Sequence, residues 1–343
     1  MEAVILAGGE ATRLRPLSYQ KPKALVPVLN RPFLSYMVEH LSVHGVKNIT
    51  LAAGHFSKLL EDFVNNYSNV SFNLSVEPNP LGTAGAVKYS LKNHSDTFLV
   101  LNGDIFSTLN ITDILAFHFS MKSQLTIALT FVENSSSFGV VQTTDDGRIT
   151  AFTEKPAVNR DISNWVNAGI YVINPSILEN IPTDQFYMFE TDLFPKLLDK
   201  GIPIFGYKHD NSWIDMGTLS KYFSLNSELL LNSGNTKAIQ YGINCDISES
   251  VILNGPILLG NNVTVGSGSK LFGPVIIGDN SNIGSGVVIN NSIIWEKVNL
   301  GNNSRVDGSI IGSGENISAG INVLNVAIAD DLVNIDRSND NNK

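Results

Sequence analysis

The sequence has one cysteine, Cys245, among 343 residues, and it has no long apolar run. A single cysteine excludes a disulfide within the chain and is typical of proteins kept in a reducing compartment. No apolar run approaches the roughly 20 residues that a membrane-spanning helix needs. The first apolar run begins almost at Met1, so we expect no signal peptide. We therefore expect a cytoplasmic protein that does not associate with a membrane.

Positive charge is also scarce. There are 23 Lys and Arg residues against 32 Asp and Glu, which gives a net charge of −9. This balance argues against nucleic acid or an anionic membrane as a partner. The cations are nevertheless concentrated between residues 13 and 31, where Arg13, Arg15, Lys21 and Lys23 fall close together. A basic cluster in an acidic protein predicts a local phosphate-binding site.

The basic cluster follows an apolar run and two glycines, in the stretch VILAGGEATRLRPLSYQKPKALVPV at residues 4–28. The apolar run is typical of a buried strand, and Gly8 and Gly9 permit a tight turn where the chain leaves it. Free backbone amides followed by Arg and Lys side chains suit a polyphosphate. The stretch has neither the G-x-x-x-x-G-K-[ST] of a Walker P-loop nor the G-x-G-x-x-G of a dinucleotide site.

Two regions with different periodicities predict two domains. Over residues 1–233, strand patterns alternate with helix patterns, as in an α/β fold with a mostly parallel sheet. From Ile247 to Ile289, apolar residues recur every six positions, which indicates a hexapeptide-repeat parallel β-helix over residues 240–329. This period slips near Trp295. Residues 330–343 are rich in Asn and Asp and are expected to be disordered. Because open solenoid faces commonly pair, we expect a homo-oligomer.

Several motifs resemble those of the sugar-1-phosphate nucleotidylyltransferases, also called nucleotide-sugar pyrophosphorylases. They are AGGEATRLRPL and KPKALVPV in the basic stretch, then LGTAGA, NGD, FGVV, EKP and WIDMGT further along the chain. The resemblance covers nearly the whole chain. It implies a Rossmann-like nucleotidyltransferase domain followed by a left-handed parallel β-helix. It also implies Mg²⁺ as cofactor, and a nucleoside triphosphate and a sugar 1-phosphate as substrates that yield a nucleotide-sugar and pyrophosphate.

The resemblance assigns roles to the residues at the matching positions. The catalytic residues would be Arg13, Lys23, Asp104 and Asp215, and the two aspartates would be the metal ligands. The nucleotide would contact Leu6, Ala7, Gly8, Gly9, Ala11, Thr12, Glu77, Gly82 and Thr83. The sugar phosphate would contact Gly139, Glu154, Lys155, Asn167 and Gly169.

Position 11 departs from the family pattern, which usually has glycine there. If the backbone at Ala11 has a positive φ, the side chain costs roughly 1–2 kcal/mol. The extra methyl group could also crowd a bound phosphate.

Glu77 opens the segment at residues 77–85, whose glycines indicate a loop after a strand, and it bears on the choice of nucleotide. Guanine presents two adjacent donors, N1–H and N2–H₂, and one carboxylate can accept from both. Thymine and uracil present one donor between two carbonyls, which suits an amide better. Glu77 and the VPVLNRPF segment resemble most the mannose-1-phosphate guanylyltransferases, which favours GTP and mannose 1-phosphate. The alternatives are a thymidylyl- or uridylyltransferase acting on glucose 1-phosphate and, from another class, a non-catalytic subunit that senses nucleotide-sugars.

Overall fold

The computed structural model describes residues 1–54, 56–67, 69–91, 95–156, 163–232, 239–330 and 332–334. The chain divides into two compact units. The α/β unit contains Met1–Glu10 and Leu34–Asp215, and the β-helix unit contains Ala11–Phe33 and Met216–Lys343. This division differs from the predicted boundary at residue 233, because the basic segment and the helix Leu219–Leu231 belong to the second unit. Residue 233 itself lies outside the described residues.

A nine-stranded mixed sheet forms the centre of the α/β unit. Its strands follow the order Ile149–Glu154, Gly139–Thr143, Trp165–Ile173, Phe98–Asn102, Glu2–Leu6, Asn48–Ala53 and Ser71–Val76. Leu125–Phe131 pairs with Trp165–Ile173 on one side and with Ile204–His209 on the other. The last four strands of the series are parallel to one another, as the alternating pattern predicted. Their carboxyl ends therefore share one edge of the sheet, where α/β proteins commonly bind ligands.

Helices lie in the connections between these strands. Apolar residues recur in these connections at helical spacing, so one face of each helix packs on the sheet. The helices are Phe33–Val43, Ser57–Val64, Gly82–Ser90, Ile111–Ser120 and Phe194–Asp199, with a 3-10 turn at Pro175–Asn180. Two further 3-10 turns, Thr12–Leu14 and Lys23–Leu25, belong to the β-helix unit. A π-helical turn, Phe189–Leu193, leads into Phe194–Asp199. The buried core of the unit includes Val4, Phe98, Tyr171, Phe189 and Phe194. Among the described residues, no helix is long and apolar enough to cross a membrane.

The segment at residues 77–85 differs from the sequence expectation. The glycines there indicated a loop, but a helix begins at Gly82. The side chain of Glu77 accepts the N–H of Leu81 over 3.1 Å, just before the helix starts. Gly85 donates its N–H to the carbonyl of Tyr187 over 3.0 Å, and a Cβ at Gly85 would lie 2.7 Å from the carbonyl oxygen of Gln185. The small residues therefore permit close packing of a helix instead of forming a loop.

The β-helix unit is built from short parallel strands. One sheet contains Asp246–Ile247, Thr264–Val265, Asn282–Ile283, Asn299–Leu300 and Asn316–Ile317. A larger sheet contains Ile239–Tyr241, Ile257–Leu259, Lys270–Ile277, Val288–Ile294, Ile310–Ile311, Ala327–Ala329 and Leu332–Asn334, joined by Ile252–Asn254, Arg305–Asp307 and Asn322–Leu324. Val265 pairs with Ile283, so the chain returns to the same sheet after one turn of three six-residue segments. Leu259, Val265, Leu271, Ile277, Ile283 and Ile289 are all buried in this coil.

The slip near Trp295 has a local cause. Phe272 pairs with Asn290, but Val275 pairs with Ser292, so the later turn has one residue fewer between the paired positions. The missing position falls between Asn290 and Ser292, where Asn291 alone, with a φ of +43°, stands opposite Gly273 and Pro274. Ile294 consequently takes the interior place that the period assigned to Trp295. Trp295 is buried outside that interior core.

The predicted disordered tail lies mostly outside the described residues, because the described ranges do not include 331 and 335–343. Leu332–Asn334 is an exception, because it forms an antiparallel strand against Ala327–Ala329. The Asn- and Asp-rich composition did not indicate this pairing.

Candidate active site

The first group of predicted residues lies at the carboxyl ends of the parallel strands in the α/β unit. Ala7 donates its N–H to Ala52 O over 2.9 Å, which continues the pairing of Glu2–Leu6 with Asn48–Ala53. A Cβ at Gly8 would lie 3.1 Å from Gly54 N and 3.5 Å from Glu77 Oε1. Gly8 and Glu77 are therefore neighbours, although 69 positions separate them (77 minus 8).

Burial raises the pKa of the Glu77 carboxyl, and the hydrogen bond from the N–H of Leu81 opposes this shift. That hydrogen bond engages Oε2. Within the described part of the chain, Oε1 accepts no hydrogen bond and lies beside Gly8. The carboxylate is thus held by one oxygen and can accept donors from a ligand.

Gly82 and Thr83 form the first turn of the helix that follows Glu77. Thr83 accepts the N–H of Phe189 at its hydroxyl over 2.9 Å and donates to Glu190 Oε2 over 3.3 Å. The Thr83 hydroxyl therefore both accepts a hydrogen bond from the π-helical turn and donates one to it. The predicted contact of Thr83 with a nucleotide stays a prediction.

Gly139, Glu154 and Lys155 come together through strand pairing. Gly139 is the antiparallel partner of Glu154. A Cβ at Gly139 would lie 2.5 Å from Phe152 Cζ and 2.9 Å from Glu154 Oε2, so only glycine fits without a shift. Lys155 pairs with Glu154 over 3.3 Å, and its side chain is 65% exposed. Its φ is +42°, a left-handed conformation that a non-glycine residue adopts at a cost and that concentrates at functional sites.

Asn167 and Gly169 shape a bulge in Trp165–Ile173, where the pairing with Leu125–Phe131 shifts register. Asn167 Oδ1 accepts the N–H of Gly169 over 2.9 Å, and its Nδ2 donates to the hydroxyl of Tyr171 over 2.9 Å. Gly169 has a φ of +71°. The Asn167 side chain therefore holds the bulge, and bulges commonly redirect side chains next to active sites.

Glu190 joins this cluster although the sequence pattern did not identify it. Its oxygens accept from the hydroxyls of Tyr171, over 3.4 Å, and Thr83. Burial is the largest cause that raises the Glu190 pKa, and the nearby charge of Glu154 raises it further. In the sequence, Glu190 is indistinguishable from an acidic residue that stabilises the start of a helix. The geometry instead links the helix Gly82–Ser90 to the predicted sugar site through one half-buried carboxyl.

Asp104 and Asp215 are brought close together by a separate two-stranded sheet. Asp104 follows the strand Phe98–Asn102 and immediately precedes Ile105–Ser107. Asp215 is the antiparallel partner of Ile105. Directly opposed residues in such a pair have Cβ atoms about 4.5–5.5 Å apart. The structure thus places Asp215 opposite the residue that follows Asp104, and the shared metal site stays a prediction.

The donor set at this place fits a hard cation. No cluster of three or more His, Cys, Asp or Glu residues that could hold a metal occurs among the described residues. Mg²⁺ does not need such a cage, because it keeps several waters and commonly binds one or two carboxylates plus substrate phosphates. Two aspartates at the end of a strand therefore suit Mg²⁺ with a phosphorylated substrate, and they suit a structural zinc site poorly.

The basic segment Ala11–Phe33 belongs to the β-helix unit. Ala11 has φ +48° and ψ +43°, which is the left-handed conformation that the sequence analysis considered for this position. The carbonyl of Ala11 accepts the N–H of Leu14 over 2.9 Å and the hydroxyl of Ser18 over 2.8 Å. Thr12 and Arg13 begin the 3-10 turn Thr12–Leu14 and are exposed, whereas Lys23 begins the turn Lys23–Leu25 and is half-buried.

Comparisons with known proteins identify the family of the chain. The nucleotidyl transferase family matches residues 2–232, and the GMPPB C-terminal domain matches residues 242–339. The chain is 33% identical over 339 residues to a UTP–glucose-1-phosphate uridylyltransferase of Synechocystis sp., covering 91% of this chain and 87% of that protein. It is 29% identical over 324 residues to a mannose-1-phosphate guanylyltransferase of Mycobacterium tuberculosis, covering 93% and 82%.

The solved structures give the same result for the fold. The crystal structure of HddC from Yersinia pseudotuberculosis complexed with GMP-PN matches with a TM-score of 0.57 and 29% identity, covering 66% of this chain and 99% of that one. The chain belongs to the nucleotidyl transferase family. Its C-terminal region is of the type found in GMPPB proteins.

Proposed function

We propose that the chain transfers a guanylyl group from GTP to mannose 1-phosphate and releases pyrophosphate, giving GDP-mannose. The position of Glu77 carries this choice of base. Its carboxylate lies beside Gly8 at the end of the first strand, and Oε1 accepts no hydrogen bond within the described residues. A carboxylate there can accept both N1–H and N2–H₂ of guanine. The name of the Mycobacterium tuberculosis relative supports the same choice.

The chemistry needs no general base. A sugar 1-phosphate is largely ionised at pH 7, since the second pKa of a phosphate monoester is about 6. One of its oxygens attacks the α-phosphorus of the triphosphate, and the bond from the α-phosphorus to the bridging oxygen breaks. The electron pair leaves with pyrophosphate. The task of the protein is to position the two substrates in line and to stabilise the charge that develops.

Each candidate residue has a role in that task. Lys23 stabilises negative charge at the α-phosphate, and Arg13 binds the pyrophosphate as it leaves. Lys155 binds the attacking phosphate, and Glu154 accepts hydroxyls of the sugar. Gly8, Gly9, Ala11 and Thr12 supply backbone amides to the triphosphate. When bound to Asp104 and Asp215, Mg²⁺ neutralises phosphate charge.

The wider setting follows from the same proposal. The chain functions in the cytoplasm, where its lone cysteine stays reduced. The C-terminal hexapeptide repeats form a left-handed β-helix, and copies of the chain associate into a homo-oligomer. Neither nucleic acid nor a membrane is a partner, in keeping with the net charge of −9.

A substrate grid tests the proposal. Pyrophosphate release is measured with GTP, ATP, CTP, UTP and dTTP, each combined with mannose 1-phosphate and glucose 1-phosphate in the presence of Mg²⁺. The highest kcat/KM is expected for GTP with mannose 1-phosphate. A preference for UTP with glucose 1-phosphate would instead assign the activity named for the Synechocystis relative. An absence of turnover with every pair would favour the nucleotide-sugar-sensing subunit.

A further inference from the structure

Two buried aromatic side chains tie the basic segment to the β-helix. Trp295 donates its indole N–H to the hydroxyl of Tyr222 over 2.9 Å, and Tyr222 donates that hydroxyl to the carbonyl of Pro27 over 2.5 Å. Tyr222 is 0% exposed and Trp295 is 4% exposed. The result is a short relay of hydrogen bonds from the β-helix, through the helix Leu219–Leu231, to the backbone four residues after Lys23.

Other contacts hold the same segment along its length. Asn30 Nδ2 donates to Ile277 O over 2.8 Å, and the N–H of Leu29 donates to Asn226 Oδ1 over 2.9 Å. Asn226 is itself fixed by a bond from its Nδ2 to the carbonyl of Tyr222 over 2.9 Å. Buried hydrogen bonds of this kind specify one geometry, because a broken partner leaves an unpaired polar group away from water.

Trp295 also contacts the chain just before Lys23. The ammonium group of Lys21 lies 5.4 Å from the centre of the Trp295 ring, within the range of a cation–π interaction. The same ammonium lies 3.5 Å from Glu296 Oε1. Trp295 therefore contacts the segment both before and after Lys23. It is free to do so because the one-residue slip at Asn291 gives Ile294 the interior place of the coil.

We infer that Tyr222 and Trp295 are positioning residues for Lys23. The β-helix thus helps to position a catalytic side chain, in addition to any role in assembly. The inference rests on the proposed function, in which Lys23 stabilises charge at the α-phosphate. Neither aromatic residue touches the substrate. Each acts by fixing the backbone around Lys23.

The test compares kcat and KM for wild type, Tyr222→Phe and Lys23→Ala with the double variant. Tyr222→Phe keeps the ring but leaves the Pro27 carbonyl and the Trp295 indole N–H without their shared partner. Loss of such a partner is expected to lower kcat about tenfold. The KM for the sugar 1-phosphate is expected to stay close to the wild-type value. Tyr241→Phe is the matched control, since Tyr241 lies in the same unit and is 53% exposed.

The double variant separates positioning from simple destabilisation. If Tyr222 acts through Lys23, Tyr222→Phe has no further effect in the Lys23→Ala background, measured by single-turnover product formation well below the melting temperature. Equal tenfold losses in both backgrounds, or wild-type kcat for Tyr222→Phe, would overturn the inference. Trp295→Phe, which removes the indole N–H but keeps an aromatic ring, provides a second variant with the same expectation if Tyr222→Phe folds poorly.

The proposed function fails in a different way. Wild-type turnover in Lys23→Ala, or no pyrophosphate release from the wild type with any substrate pair, would remove the catalytic role of Lys23. Slow turnover in Lys23→Ala with an independent effect of Tyr222→Phe would overturn only the positioning role.

Discussion

Asp215 pairs directly with Ile105 in a two-stranded antiparallel sheet, which places it one residue away from Asp104 across a sequence separation of 111 positions (215 minus 104). This short sheet is the element that turns two distant aspartates into a candidate metal site.

Asp104→Asn and Asp215→Asn should each lower kcat at limiting Mg²⁺ by about a hundredfold or more, because each removes a charged metal ligand with little change in volume. Circular dichroism should show an unchanged fold. Asp145→Asn, at an exposed turn of the same unit, is the control and should retain activity. Near-normal turnover in either aspartate variant would exclude that residue from metal binding.

Glu77→Gln should change the choice of base. The new amide N–H₂ would face a donor of guanine, whereas an amide can pair with one donor and one acceptor of uracil or thymine. A bidentate base contact contributes about 1–3 kcal/mol, which corresponds to roughly five- to 150-fold in relative kcat/KM. The measurement is the ratio of kcat/KM for GTP to that for UTP and dTTP. Glu133→Gln, on the surface of the same unit, should leave the ratio unchanged. An unmoved ratio in Glu77→Gln would show that Glu77 does not contact the base.

Ala11→Gly should stabilise the protein slightly. The φ of +48° at Ala11 costs an L-residue roughly 1–2 kcal/mol, and glycine removes that cost but adds about 0.4–1 kcal/mol of unfolded-state entropy. The net gain should be roughly 0–1.6 kcal/mol in the free energy of unfolding, measured by denaturant titration. Ala116→Gly, at an exposed position inside the helix Ile111–Ser120, should have the opposite sign and cost about 1 kcal/mol. If Ala11→Gly destabilises the protein as much as Ala116→Gly does, the backbone at Ala11 is not strained.

Glu190→Gln should make stability less dependent on pH. The pKa of Glu190 is raised above its ordinary value of 4.5, chiefly by burial, so the folded state holds a proton that the unfolded chain has released. Because the folded state then binds more protons, the wild type loses stability as pH rises from 4.5 towards the raised pKa. Glutamine carries no such proton. The melting temperature of Glu190→Gln minus that of the wild type should therefore increase with pH over this interval. If the melting temperatures of the two proteins change in parallel with pH, burial does not raise the pKa of Glu190.

Several parts of the site could be predicted because their information is local. The strand at the start of the chain, Gly8 and Gly9 and the cations after them are consecutive in the sequence, and together they predict a phosphate site; the strand is confirmed, whereas the structure has no tight turn at Gly8 and Gly9. The parallel strands Asn48–Ala53, Ser71–Val76 and Phe98–Asn102 follow the alternating pattern that the sequence predicted, since buried strands and amphipathic helices have distinct periods. Thr218 caps the helix Leu219–Leu231 by accepting the N–H of Lys221 at its hydroxyl, a role for which threonine is well suited.

Other parts could not be predicted because they depend on contacts between distant segments. The helix at Gly82 replaced an expected loop because it packs on residues 185–187, which the local pattern did not reveal. Glu190 joined the cluster with Thr83 and Tyr171 only after three separate elements had come together.

By itself, the sequence determined the class of each region, because periodicity needs no knowledge of the fold. Only the tertiary structure decided that Asp215 lies opposite the residue after Asp104 and that the half-buried Glu190 accepts a hydrogen bond from Thr83. It also decided that Trp295 leaves the interior of the coil and reaches Tyr222, which ties the backbone after Lys23 to the β-helix. The physical reason is that strand register and the one-residue slip at Asn291 set which side chains meet, and neither is encoded in any single stretch of residues.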